Sequence, residues 1–172
     1  MEISTERLIL RPLSIKDAES VFEYASDKET TKFMLWGCKN TIDEVKDFLT
    51  NSQNEWQKDF PNFYEFAITL DGKQIGAISA YLNESKTEAE LGWILNKLFQ
   101  GKGYATEAAL AIKTFLKNEL HIKKIIAHCD EKNKASLNVM KKIGMKIISC
   151  GTERIYPLTN KKSTELMCSC TL

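Results

Sequence analysis

Between Tyr64 and Leu95 the chain carries three consecutive stretches of strand-like alternation, and this narrows its fold more than any other feature. Tyr64, Phe66, Ile68 and Leu70 are spaced by Glu65, Ala67 and Thr69, the period of two that sends alternate side chains to opposite faces of a strand. Asp71-Gly72 follows, a pair that favours a two-residue hairpin turn, and the return strand is expected over about 74–82. A polar loop from Asn83 to Thr87 leads into a further strand at about 88–95. Connections this short leave no room for a crossover, so the three strands form an antiparallel meander.

Helical periods flank the meander. Upstream, Leu8 to Pro12 reads as a short strand that ends at its proline. Ser14 offers an N-cap with Asp17 three residues on, and Ala18, Val21, Phe22 and Ala25 follow at helical spacing. Thr41 and Glu44 form a capping box ahead of Val45, Phe48, Leu49 and Trp56. The connection Phe33-Met34-Leu35-Trp36-Gly37 is apolar, which predicts that it packs on the domain or lines a site. Downstream, Ala105, Ala108, Ala109, Ile112, Phe115 and Leu116 mark a helix, 125–130 a strand and 133–143 a second helix. Gly144 and Met145 then fit a left-handed cap and its apolar contact. Strands at about 145–150 and 165–170, joined by a polar stretch holding Lys161 and Lys162, finish the chain. The order β-α-α-β-β-β-α-β-α-β-β predicts one α/β (α+β) domain over residues 1–172, a mixed sheet of about seven strands with about four helices on its faces.

Composition removes several function classes. The 172 residues carry 24 Lys and Arg against 23 Asp and Glu, without the basic excess of a dedicated nucleic-acid binder. No apolar run approaches the roughly 18 residues that span a bilayer. The opening Met1-Glu2-Ile3-Ser4-Thr5-Glu6-Arg7 lacks a basic start and apolar core, so a cytoplasmic chain without nucleic-acid or membrane partners is expected. The five cysteines are odd in number and lack disulfide-framework spacing; Cys168 and Cys170 read as residues of a terminal strand, and no metal site is expected. His121 and His128 have no partner at ligand spacing, and His128 reads as a packed strand residue.

Chemistry is expected in Gln100 to Thr106. Gly101 and Gly103 precede a helix, whose N-terminal amides are free and partially positive, and glycine lets a ligand approach the backbone closely. Such a loop suits a phosphate or pyrophosphate, with Lys102 adding charge at the rim. The dinucleotide fingerprint fails because Thr106 stands where its third glycine belongs, and no G-x-x-x-x-G-K-[ST] pattern exists.

Gln100-x-x-Gly103-x-Ala105, after an antiparallel strand and opening a helix, resembles the acyl-CoA pyrophosphate loop of the GNAT N-acyltransferase superfamily. Asn133 before the next helix, and Lys142, Gly144 and Met145 at its end, extend the resemblance. Thr5 to Pro12, Glu90 to Leu95 and Gly101 to Ala108 are similar to the RimJ/RimL-type branch, which includes enzymes that acetylate the N-termini of ribosomal proteins.

The resemblance implies a mostly antiparallel GNAT sheet and acetyl transfer from acetyl-CoA to a primary amine in a ternary complex. The acceptor would be a protein N-terminus or a small-molecule amine, and the enzyme a monomer or homodimer. Ile94, Leu95 and Asn96 would lie along pantetheine, with a backbone N–H near Trp93 or Ile94 meeting the thioester oxygen. Gln100, Gly101, Lys102, Gly103, Tyr104, Ala105 and Thr106 would hold the pyrophosphate, and Asn133 would contact pantetheine. The family's usual tyrosine acid is replaced by Met140, so Ser136 becomes the candidate partner of the CoA sulfur. Glu90 is the candidate base, Glu107 reads as a structural first-turn acid, and Trp36, Phe33 and Tyr81 are candidates for the acceptor pocket. The missing tyrosine leaves a competing expectation, a non-catalytic CoA-binding sensor or interaction protein of the same fold.

Overall fold

A computed structural model describes residues 1–172. The strands are β1 (Ile3–Ser4), β2 (Ile9–Pro12), β3 (Phe63–Leu70), β4 (Lys73–Leu82), β5 (Glu88–Leu95), β6 (Lys124–Asp130), β7 (Lys146–Tyr156) and β8 (Lys161–Thr171). The helices are α1 (Ala18–Ala25), α2 (Lys28–Thr31), α3 (Ile42–Trp56), α4 (Tyr104–Asn118) and α5 (Lys134–Lys142). All eight strands form one sheet in the order β1-β2-β3-β4-β5-β6-β8-β7. Every pairing is antiparallel except β5 with β6.

The meander forms as its turn residues require. Asp71 and Gly72 both take positive φ, the conformation of a type I′ turn. Side-chain alternation then divides the sheet into two faces. Tyr64, Phe66, Ile68, Ile78, Ala80, Ala89, Leu91, Ile125 and Ala127 face α4 and α5 in the larger core. Ala67 and Ala77 face α1 and α3, where Val21, Tyr24, Val45 and Leu49 complete a smaller core. Asp17 anchors the entry to α1: the Arg11 guanidinium donates to it at 2.9 and 2.6 Å, and the Ser14 amide at 3.0 Å. Gly144 closes α5 with φ 89°, and the Met145 amide reaches back to the Met140 carbonyl at 2.9 Å.

Two elements add to the expected order. β1 has two residues and α2 four, each about one period of the patterns that reveal elements and too short for a repeat to show. The last two strands are also longer than expected. Lys161 and Lys162 begin β8 instead of lying in a loop, because the β7–β8 hairpin is exposed along most of β7 and shows no apolar alternation. Cys168 is buried in the larger core, with Cys170 packed against it. No helix is long and apolar enough to cross a membrane.

Candidate active site

A cleft of about 1170 Å³ opens on the α1/α3 face of the sheet and runs past the gap between β5 and β6 to the start of α4. The gap follows from strand register. β5 and β6 pair only through Glu90 opposite Ile126, and then separate. On its other side β5 stays paired with β4 to Leu95, and the Asn96 amide still donates to the Ile75 carbonyl at 2.9 Å. Strand alternation therefore directs the amides of Trp93 and Leu95 into the gap and that of Ile94 towards β4. The Leu95 carbonyl is taken by the Gln100 side-chain amide at 2.9 Å.

The loop after the gap is held open by its glycines. Gly101 and Gly103 have φ of 76° and 87°, and Gly103 is the N-cap of α4. The amides of Tyr104, Ala105 and Thr106 have no acceptor within the helix, and all three residues line the cleft with Gly101 and Gly103. The chain's first residues brace this loop. Arg7 donates to Glu107 from its amide at 2.8 Å and its Nε at 2.7 Å, and to the Lys102 carbonyl at 3.1 Å. Thr5 Oγ1 adds a bond to Glu107 at 2.6 Å. Burial opposes ionisation of Glu107, but these donors hold its carboxyl below the usual range. Its role is structural.

Across the gap, Asn133 caps α5 by accepting the Ser136 amide at 3.1 Å, and both residues line the cleft. The Ser136 hydroxyl makes no hydrogen bond within the protein, which leaves it free for a ligand. Met140, where the family's tyrosine would stand, is buried in the larger core. Two expected contacts fall outside the cleft. Asn96 turns its side chain to Glu23 at 3.3 Å and to the Leu98 amide at 3.1 Å, capping a 3-10 turn. Lys102 Nζ lies over the Phe99 ring, 5.6 Å from its centre.

The opposite end of the cleft is floored by rows of side chains on the sheet. Phe63, Tyr81 and Glu90 align across β3, β4 and β5, as do Glu65, Ser79 and Gly92. The Phe63 and Tyr81 rings stack at 5.3 Å. Tyr81 donates to Glu65 Oε1 at 2.7 Å, and Glu65 is only 3% exposed. Burial pushes the Glu65 carboxyl up to about 7, against the lowering effect of the Tyr81 hydroxyl. Burial and the neighbouring Glu65 charge likewise raise the Tyr81 phenol, which stays protonated. His128, on β6, brings Nδ1 within 2.9 Å of Glu90 Oε1.

Sequence reasoning placed Phe33, Trp36 and Tyr81 here, and all three line the cleft, as does the rest of the apolar connection from Met34 to Trp36. It missed Glu65 and misread His128, which lies in the cleft beside Glu90 instead of being simply packed. The connection is tied down over the cleft. Leu158, at the β7–β8 hairpin tip, packs against Gly37, and Arg154 donates to the Phe33 carbonyl at 3.2 Å.

Charge divides the cleft. Near α5, Lys132, Lys134 and Lys142 line it, and no carboxylate lies within 4.0 Å of their ammonium groups. At the far end Lys32, Lys39 and Arg154 are each paired, with Glu29, Glu44 and Glu165. Glu65 there has no cation within the same distance, and Glu90 has only His128. One end is therefore left positive and the other negative.

The acetyltransferase (GNAT) domain model matches residues 7–146, a span that holds the meander, the gap and the glycine loop. The chain belongs to this GNAT acetyltransferase family. A Bacillus subtilis relative described as an uncharacterized N-acetyltransferase, YnaD, is 36% identical, covering 85% of this chain and 83% of its own. A GNAT-family acetyltransferase structure from Bacillus anthracis superposes with a TM-score of 0.88 at 30% identity, covering 99% of this chain and 98% of the other. A more distant relative in Escherichia coli, at 21% identity over 84% of this chain and 75% of its own, is described as a spermidine N(1)-acetyltransferase. In this GNAT domain the mixed α/β sheet agrees with the fold that the sequence predicts, with eight strands in place of about seven and five helices in place of about four.

Proposed function

We propose that this chain transfers the acetyl group of acetyl-CoA to one amine of a small acceptor that carries a second basic group. The observation that carries this reading is the division of charge along the cleft. The unpaired Lys132, Lys134 and Lys142 with the free α4 amides suit the CoA phosphates, and the uncompensated Glu65 and Glu90 suit a cation.

Within this reading the glycine loop takes the pyrophosphate, while Ile94 and Leu95 flank pantetheine beside Asn133. The Trp93 amide points where a donor to the thioester oxygen is needed. The Ser136 hydroxyl serves the departing sulfur. Glu90 lends negative charge beside the reacting amine at the edge of the gap, and Glu65 with Tyr81 anchors the second basic group. Strands lie about 4.8 Å apart, so Glu65 on β3 and the gap beside β5 are separated by roughly two strand spacings, about 10 Å. Phe33 and Trp36 wall the carbon skeleton between them. The hairpin tied over the connection at Gly37 and Phe33 favours a compact acceptor over an extended protein N-terminus.

The test is acetyl-CoA consumption at pH 8 with α,ω-diaminoalkanes, n-alkylamines of matched length and a short peptide. The diamines should give the highest kcat/KM, with an optimum at intermediate length, and Glu65→Gln should erase most of their advantage through KM. Peptide turnover above that of every diamine would make the acceptor a protein N-terminus. Acetyl-CoA binding with no turnover on any amine would instead favour the non-catalytic reading that the loss of tyrosine at Met140 raises.

A further inference from the structure

Pairing between β5 and β6 ends at Glu90 opposite Ile126, yet one side-chain bond still joins the two strands, from His128 Nδ1 to Glu90 Oε1 at 2.9 Å. An ionised carboxylate only accepts hydrogen bonds, so the imidazole presents its hydrogen on Nδ1 and keeps a lone pair on Nε2. Nε2 makes no hydrogen bond within the protein, and the ring is 24% exposed and lines the cleft. Gly92, two residues beyond Glu90 on β5, has no side chain to cover the ring. The sheet thus carries an oriented, unengaged imidazole nitrogen on the flank of the gap opposite the Trp93 amide.

We propose that His128 is the catalytic residue that removes the acceptor's proton, and that Glu90 is the positioning residue that fixes its tautomer and orientation. This rests on the acetyl-transfer reading above. The acceptor ammonium gives a proton to His128 Nε2, and the freed nitrogen lone pair attacks the thioester carbon. A C–N bond forms as the C–S bond breaks, the electron pair leaves on sulfur, and the surplus proton of the new amide passes to that sulfur. The His128 proton returns to solvent, so ammonium plus acetyl-CoA yields amide, CoA thiol and one released proton. An imidazole nitrogen with a free lone pair is a stronger base than a carboxylate, which suits it better than Glu90 to this step. Glu90 is the more exposed of the two, and its carboxylate balances the imidazolium as it forms.

His128→Ala should lower kcat by about a hundredfold or more, while acetyl-CoA affinity by calorimetry changes little. Imidazole added to that variant should restore at least tenfold of the lost rate, which a packing role would not allow. Glu90→Gln, whose amide oxygen still accepts from Nδ1, should retain more activity than Glu90→Ala. Undiminished turnover in His128→Ala, or a loss that imidazole leaves unrepaired, overturns the assignment while leaving the transferase intact. Nitrogen NMR of the His128 ring supplies a readout that needs no turnover. The Nδ1–H tautomer in the wild type, mixed in Glu90→Ala, supports the pair, and an Nε2–H wild-type ring overturns it. A wild type that binds acetyl-CoA and acetylates no amine overturns the transferase reading, and the dyad's catalytic role with it.

Discussion

At the scale of single residues, Glu65 is held at a cost to stability. Its carboxyl ionises near 7 in the fold against an ordinary value of 4.5, so the folded state keeps a proton that the unfolded chain has released. Its contribution is therefore fully present below about pH 4.5 and is lost as the pH rises through 7. Glu65→Gln should match the wild type in urea unfolding at pH 4. It should exceed it by an amount on the order of 3 kcal/mol at pH 8. Equal stabilities at both values would mean that the burial of Glu65 carries no such penalty. Retaining a destabilising carboxyl fits a residue kept for binding. Ser136 makes a separate prediction, because its hydroxyl has no protein partner. Ser136→Ala should slow turnover more than it weakens acetyl-CoA binding, read as a kcat change against a calorimetric Kd. Equal losses would make it a binding residue.

At the scale of elements, the loop before α4 and its brace act together. Gly103 sits at φ 87°, where a β-branched residue is strained, and an added Cβ would meet Arg7 at 3.4 Å. Gly103→Val should weaken acetyl-CoA binding at least tenfold by calorimetry, and an unchanged Kd would remove the loop from the ligand site. Arg7→Ala removes three donors to the loop from a partly exposed side chain. It should lower stability by about 1 kcal/mol and weaken acetyl-CoA binding in parallel. The elements legible in the sequence are those whose signal is local: the alternation of β3, the Asp71-Gly72 turn, the Gly144 cap and the period of α4. β7 was less legible because most of its length is exposed and bears no pattern. The glycine loop and Ser136 could be placed from motif and context. Glu65 and His128 could not, because their partners arise from register. Counting back from the turn, Leu70 faces Lys73, which would set Glu65 opposite Ile78. An irregularity between Ile68 and Thr69 shifts the pairing by one and brings Glu65 opposite Ser79. His128 meets Glu90 across a parallel pair whose strands are separated by the whole of α4.

At the scale of the whole molecule, a ligand that joins β5, α4 and α5 should stabilise the entire domain. Acetyl-CoA at a hundred times its Kd should add about 2.7 kcal/mol, a Tm rise of roughly 5–10 °C for a chain of this size, with no rise from ATP or NAD. An unmoved Tm with acetyl-CoA would remove the cofactor assignment and leave the fold. The division of charge along the cleft reaches beyond affinity to kinetics. An anionic donor and a cationic acceptor are drawn to opposite ends of one groove, so neither obstructs the other's arrival. Added salt should therefore slow both association steps as the Debye length shrinks, while the chemical step, enclosed between β5 and β6, keeps its pace.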